Sequence, residues 1–183
     1  YSYRQCSLKF KFQYVDRLQP AFVPAPLVFG SAFHRAVEEA LVASMTGAFP
    51  PVEELLQIFT REIDSQDPAI PIRFGEKENR DTMIELARRM LTVWTSWERP
   101  PARTLAIEHD FRIPIAEWLP PLVGKIDQVL ELEDHVAVLD VKTSRSRWSE
   151  EDVAQHASQL ALYRAGAADT RIGIVEISLE TTA

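Results

Sequence analysis

Gly124-Lys125-Ile126-Asp127-Gln128-Val129, followed by Val138-Leu139-Asp140-Val141-Lys142-Thr143, is the stretch on which the reading of this 183-residue chain turns. Both pieces read as strands. Ile126, Val129 and Leu130 are apolar in the first, and Val136, Val138, Leu139 and Val141 in the second. Glu131-Leu132-Glu133-Asp134 between them is polar enough to turn the chain, which makes a hairpin. Side chains two apart on a strand share a face. Asp140 and Lys142 therefore project together, and Asp127 reaches the same face if the register allows it.

Two carboxylates beside a lysine are costly to set among apolar strands unless they have work to do. Metal-assisted hydrolysis of a phosphodiester is chemistry that uses such a group. Paired carboxylates hold a hard divalent cation through oxygen, and the cation polarises a phosphoryl oxygen and acidifies bound water. The lysine orients the nucleophile or offsets charge in the transition state. The plainer alternative is a solvated face of an amphipathic hairpin, because Asp-x-Lys is a common tripeptide.

An apolar content of 46% and a charged content of 26% suit one soluble globular domain with a substantial core. The formal net charge of −7 argues against a generic nucleic-acid coat protein. It leaves a nuclease open, since metal-binding carboxylates themselves add negative charge. One cysteine excludes an internal disulfide and a multi-cysteine zinc site. No apolar run approaches the roughly 20 residues that span a bilayer, and the expected compartment is the cytoplasm. The first and last residues, Tyr1 and Ala183, suggest a piece of a longer chain.

Before the hairpin, helices dominate. Residues 3–14 read as a short helix with Tyr3, Cys6, Phe10 and Tyr14 on one side, an amphipathic cover for the core or a basic-aromatic DNA contact through Lys9 and Lys11. Cys6 is expected to be a small buried hydrophobe. Ser31 is read as the N-cap of a helix to about Met45, buried through Phe33, Val37, Ala40, Leu41 and Ser44, with His34 at the edge of that stripe. A lone histidine there is more often structural than a ligand. Helices follow over 52–64 and about 76–98, separated by a loop over 65–75 and ended by Pro100-Pro101, and the arginines Arg80, Arg88 and Arg89 form a solvated face. Residues 105–113 alternate as a strand with Ile107, His109, Phe111 and Ile113 on one face; Glu108, on the other, is an outer carboxylate of the cluster or an exposed strand residue.

After the hairpin, Arg145-Ser146-Arg147-Trp148 is a basic loop. Ser149 with Asp152 forms a capping box for a helix to about Gly166, on which Gln155, Gln159 and Tyr163 recur every four residues. Residues 171–179 read as a closing strand.

In order, the chain carries Tyr3-x-x-Cys6, Gly30-x-x-x-His34, Gly124-x-Ile-Asp127, Asp140-x-Lys142-Thr143 and Gln159-x-x-x-Tyr163. Each is weak alone, and together they resemble the RecB-like branch of the PD-(D/E)XK nuclease superfamily, which includes helicase-linked nuclease domains and CRISPR-associated exonucleases. The resemblance spans nearly the whole chain. It implies an α/β restriction-endonuclease-like core, a mixed central sheet flanked by helices under an N-terminal helical cap. On that reading 1–183 is a single nuclease domain, mainly helical over 1–100 and sheet-bearing over 101–183. By motif position His34, Asp127 and Asp140 look like metal ligands together with the Val141 carbonyl. Lys142 looks catalytic, and Gln159 and Tyr163 look like the pair that organises the DNA and the active site.

The implied ion is Mg²⁺ or Mn²⁺, which suits this donor set. The implied function is metal-dependent DNA hydrolysis, as an exonuclease or as the nuclease module of a repair or recombination complex with a helicase or another repair subunit. The same-fold rival is an inactive DNA-binding or structural module. Outside the resemblance stands a small-molecule hydrolase or interaction domain. Relatives with an iron–sulfur cluster pair the first cysteine with three more near the C-terminus. None follows here, and Ser7 stands where proline is frequent, so no iron–sulfur cluster is expected in this stretch.

Overall fold

The computed structural model describes residues 6–99, 102–133, 135–144 and 148–169. Tyr3, Pro100-Pro101, the basic loop from Arg145 to Arg147 and the strand expected over 171–179 lie outside them. Among the described residues the chain is mixed α/β, with a helical half followed by a sheet-bearing half.

The helical half is built on α2 (Ala25–Ser44), α3 (Val52–Asp64) and α4 (Arg80–Ser96); the short α1 (Ser7–Phe10) precedes them. Helix α2 starts six residues before Ser31, which therefore sits inside it rather than at its N-cap. Pro24 is the N-cap and Pro26 lies in the first turn. A proline there loses no helical bond, because that N–H has no partner in the helix, and its fixed φ suits the start. Pro24 and Pro26 thus mark a helix start. Phe29, Phe33, Ala36, Val37, Ala40 and Leu41 of α2 pack on Leu55, Leu56, Phe59 and Ile63 of α3 and on Met83, Ala87 and Leu91 of α4. Phe29 meets Phe59 edge-on at 5.2 Å between ring centroids. Burying a ring such as Phe59 contributes about 1.5–3 kcal/mol.

Helix α4 begins at Arg80, not near residue 76, because Asn79 is its N-cap and forms a reciprocal capping box with Thr82. The loop before it holds β2 (Ile72–Arg73), paired in parallel with β1 (Val23–Pro24). On the surface, Arg80 grips Asp64 through both carboxylate oxygens and Arg88 pairs with Glu53.

The N-terminal segment differs from its expectation. Helix α1 runs into a π turn over Lys11–Val15, and neither buries a residue. Cys6 is exposed, and its sulfur accepts the Lys9 N–H at 3.4 Å as the N-cap of α1. It is a cap, not a core residue. Among the described residues this segment does not cover the core.

The sheet is β3 (Arg103–Ile113), β4 (Leu122–Glu131) and β5 (Val136–Leu139), antiparallel in the order β3-β4-β5. The Leu132 N–H donates to the His135 carbonyl at 2.8 Å and closes the expected hairpin. Helix α5 (Glu150–Asp169) packs on this sheet. Phe111, Ile126, Val129, Val138, Leu160 and Tyr163 form a second core between them. The Ser149–Asp152 capping box starts α5 as expected, with Asp152 N–H on the Ser149 hydroxyl at 3.2 Å and Ser149 N–H on the Asp152 carboxylate at 2.8 Å.

The even alternation expected of β3 breaks at Glu108, whose φ is 49°. Ile107 packs with the helical core, whereas Phe111 and Ile113 pack with the core under α5. Glu108 pairs with Lys125 at 3.2 Å, with its side chain 24% exposed.

Candidate active site

Four elements deliver the side chains singled out in the sequence. Asp127 comes from the middle of β4, Asp140 to Lys142 from the end of β5, His34 from α2, and Gln159 and Tyr163 from α5. The β4–β5 register pairs Gln128 with Leu139, so the next step along would set Asp127 against Asp140. The ladder stops there. Asp127 Oδ2 accepts the Val141 N–H at 2.7 Å, taking the donor a further ladder rung would use, and β5 ends at Leu139 rather than continuing through Lys142 as expected.

His34 Nδ1 stands 3.6 Å from Asp127 Oδ2. Asp140 lies beside Lys142, whose Nζ is 3.0 Å from Oδ1 and 2.8 Å from Oδ2. The Tyr163 hydroxyl donates to Asp140 Oδ1 at 3.2 Å and accepts from Gln159 Nε2 at 2.6 Å. Gln159 and Tyr163 are one helical turn apart, so their side chains meet on one face of α5. The set expected from sequence is therefore linked in two groups, His34–Asp127–Val141 N–H and Lys142–Asp140–Tyr163–Gln159. Both sit at one end of the β4–β5 hairpin. The side chain of Gln155 is not among those described.

Burial raises the pKa of Asp127, and the charge of Asp140 adds to it; the Val141 N–H, His34 and Lys142 act in the opposite sense. Burial also raises the pKa of Tyr163, again helped by Asp140. Its hydroxyl therefore keeps its proton and stays a donor to the carboxylate. The site concentrates negative charge where water is partly excluded, which favours a bound cation.

Beside His34 an open cleft is lined by Pro26, Leu27, Gly30, Ser31 and Thr143. Ser31 and Thr143 were not candidates in the sequence. Ser31 carries a cap signal in the sequence, and only the return of the chain after Lys142 brings Thr143 to α2, where a Cβ at Gly30 would lie 3.7 Å from its hydroxyl.

The model for the PD-(D/E)XK nuclease superfamily matches residues 1–181. The chain belongs to that superfamily. No curated protein and no solved structure matches it. Superfamily membership supports a nuclease, with DNA as the implied substrate, and PD-(D/E)XK nucleases typically use divalent metals such as Mg²⁺. Among the described residues, no three His, Cys, Asp or Glu side chains are grouped to hold an ion by themselves. The donor types do suit one: two carboxylates, a backbone carbonyl and an imidazole match a hard divalent cation, which commonly completes its shell with water and substrate oxygens. No helix among the described residues is long and apolar enough to cross a membrane.

Proposed function

We propose that the protein is a metal-dependent deoxyribonuclease, acting in the cytoplasm as an exonuclease or as the nuclease module of a DNA repair or recombination complex. The observation that carries this reading is the meeting of Asp127, Asp140 and Lys142 at the end of one hairpin in a PD-(D/E)XK chain. In this reading residues 1–183 act as one nuclease domain, with α2 supplying His34 across the site from the sheet. A helicase or another repair subunit is the expected partner for a chain in which no ATP-binding phosphate loop is evident.

Asp127, Asp140, the Val141 carbonyl and His34 would hold Mg²⁺ or Mn²⁺. When bound, the ion polarises the scissile phosphoryl oxygen and lowers the pKa of attacking water. Tyr163, itself held by Gln159, fixes one oxygen of Asp140 and so limits the rotation of that carboxylate. The Lys142 ammonium stands next to the same carboxylate, close enough to orient the water and to offset charge as the phosphorus–oxygen bond breaks. The cleft beside His34 offers apolar contacts from Pro26 and Leu27 and hydroxyls from Ser31 and Thr143. Those suit the sugar and base of a nucleotide next to the scissile phosphate.

Labelled single- and double-stranded DNA incubated with Mg²⁺, Mn²⁺ or a chelator tests the reading. Metal-dependent shortening from an end supports an exonuclease, and internal cuts point to an endonuclease. Binding without cleavage under every metal condition would favour the inactive DNA-binding module.

A further inference from the structure

We propose that Phe111 is a positioning residue for the Tyr163–Asp140 contact, with Gly124 and Gly166 absent of side chains so that its ring can lie there. The inference rests on the nuclease reading only for its effect on turnover. Phe111 is on β3, opposite Gly124 of β4 in the strand register. Its ring fills the space on both sides where a side chain would otherwise stand. A Cβ at Gly166 of α5 would lie 2.5 Å from the ring carbon Cγ, and a Cβ at Gly124 would overlap the far edge of the ring at Cζ. Real Cβ atoms do not approach so closely, so neither glycine accepts even a methyl group without moving the ring.

Gly166 lies three residues after Tyr163 on the same face of α5. The Phe111 and Tyr163 rings meet edge to face, with centroids 6.1 Å apart at 79°. Both are buried, at 6% and 8% exposure, so neither ring has free space to swing. The phenol is thus held from two directions. Phe111 sets the ring's position, and Gln159 and Asp140 take the hydroxyl at 2.6 and 3.2 Å. The influence of Phe111 on Asp140 runs through the tyrosine.

The test is a double-mutant cycle on the full chain. Phe111→Leu removes the ring edge without adding a clash, and Tyr163→Phe removes the hydroxyl while keeping the aromatic packing. The expected result for Phe111→Leu is a fall in kcat of about tenfold to a hundredfold, as sub-ångström to ångström displacements of catalytic groups produce, with KM for DNA unchanged. In the Tyr163→Phe background the same change should add little. Gly166→Ala should lower kcat in the same way, and adding Phe111→Leu should lower it little further, because both changes act through the same ring.

A readout apart from activity is the Tyr163 hydroxyl proton, followed by NMR on metal-free protein. It should be slowly exchanging in the parent and lost in Phe111→Leu. An equal loss of kcat from Phe111→Leu in both backgrounds, or an unchanged hydroxyl proton in a folded variant, would overturn the proposal. A parent protein with the protected hydroxyl but no cleavage of DNA would remove the nuclease reading and leave the positioning role standing.

Discussion

Asp127 is held by opposed forces. Burial and the neighbouring Asp140 raise its pKa, while the Val141 N–H and the nearby His34 and Lys142 favour its charged form, and the first effects prevail. A raised native pKa means that, between the unfolded value near 3.9 and the native one, the folded chain holds a proton the unfolded chain has lost. Stability then falls as the pH rises through that window, and the penalty is complete above it. Asp127→Asn, which keeps an oxygen for the Val141 N–H, should therefore melt higher than the parent in metal-free buffer at neutral pH. The difference should vanish in acid below the unfolded value. A variant that melts lower at neutral pH would show that the carboxylate is satisfied by its neighbours without an ion. Asp140 is tied both to Tyr163 of α5 and to Lys142 just past the hairpin.

Helix α5 shows how an element brings distant residues to the hairpin. Its Ser149–Asp152 cap fixes where the helix starts, and hence which face carries Gln159 and Tyr163. Hydrogen bonds from Ser149 lower the pKa of Asp152. That depression contributes stability above the unfolded pKa, near 3.9, which is lost as the pH falls through the lower native value. Asp152→Asn should flatten the acid limb of a thermal-melt series, and an unchanged limb would mean that the cap adds nothing to stability. The cap, the hairpin and the α3 stripe were legible because each rests on neighbours within a few residues. Leu55, Leu56, Phe59 and Ile63 repeat at helical spacing, and all four are buried.

What the pattern did not reveal depends on partners far away in the chain. The start of α2 follows from Pro24 and Pro26 as helix openers, whereas Ser31 carried the more familiar cap signal. The end of β5 depends on a carboxylate from the neighbouring strand. The change of packing across Glu108 comes from a backbone angle that no alternation of apolar residues encodes. Phe111 read simply as one apolar residue on β3. Its place between Gly124 and Gly166 needs the sheet and α5 together.

Across the whole molecule, helical cap and sheet meet at the site: Ile107 and Val141 pack against the helical core, and His34 reaches Asp127 from α2. An ion held by ligands from both halves should stabilise them jointly. Mg²⁺ or Mn²⁺ at about a hundred times its dissociation constant would add about 2.7 kcal/mol. The melting temperature of the parent should rise accordingly, by several degrees for a chain of this size, since about 1 kcal/mol moves it roughly 2–4 °C. Asp127→Ala with Asp140→Ala should show no such rise. A rise of equal size in that double variant would place the ion elsewhere. The net charge of −7 makes bare attraction to DNA weak, so DNA binding should strengthen when divalent ions occupy the site.

On the proposed function, Lys142 acts in the transition state of DNA hydrolysis rather than as a partner for Asp140 alone. Single-turnover cleavage of labelled DNA in Mg²⁺, with the parent and Lys142→Ala each saturated as judged by a binding titration at fixed salt, separates the two roles. The expected result is equal DNA binding with a cleavage rate lower by about a hundredfold to a thousandfold, the usual cost of removing one such donor. Equal cleavage rates in the two proteins would leave Lys142 without a role in the reaction.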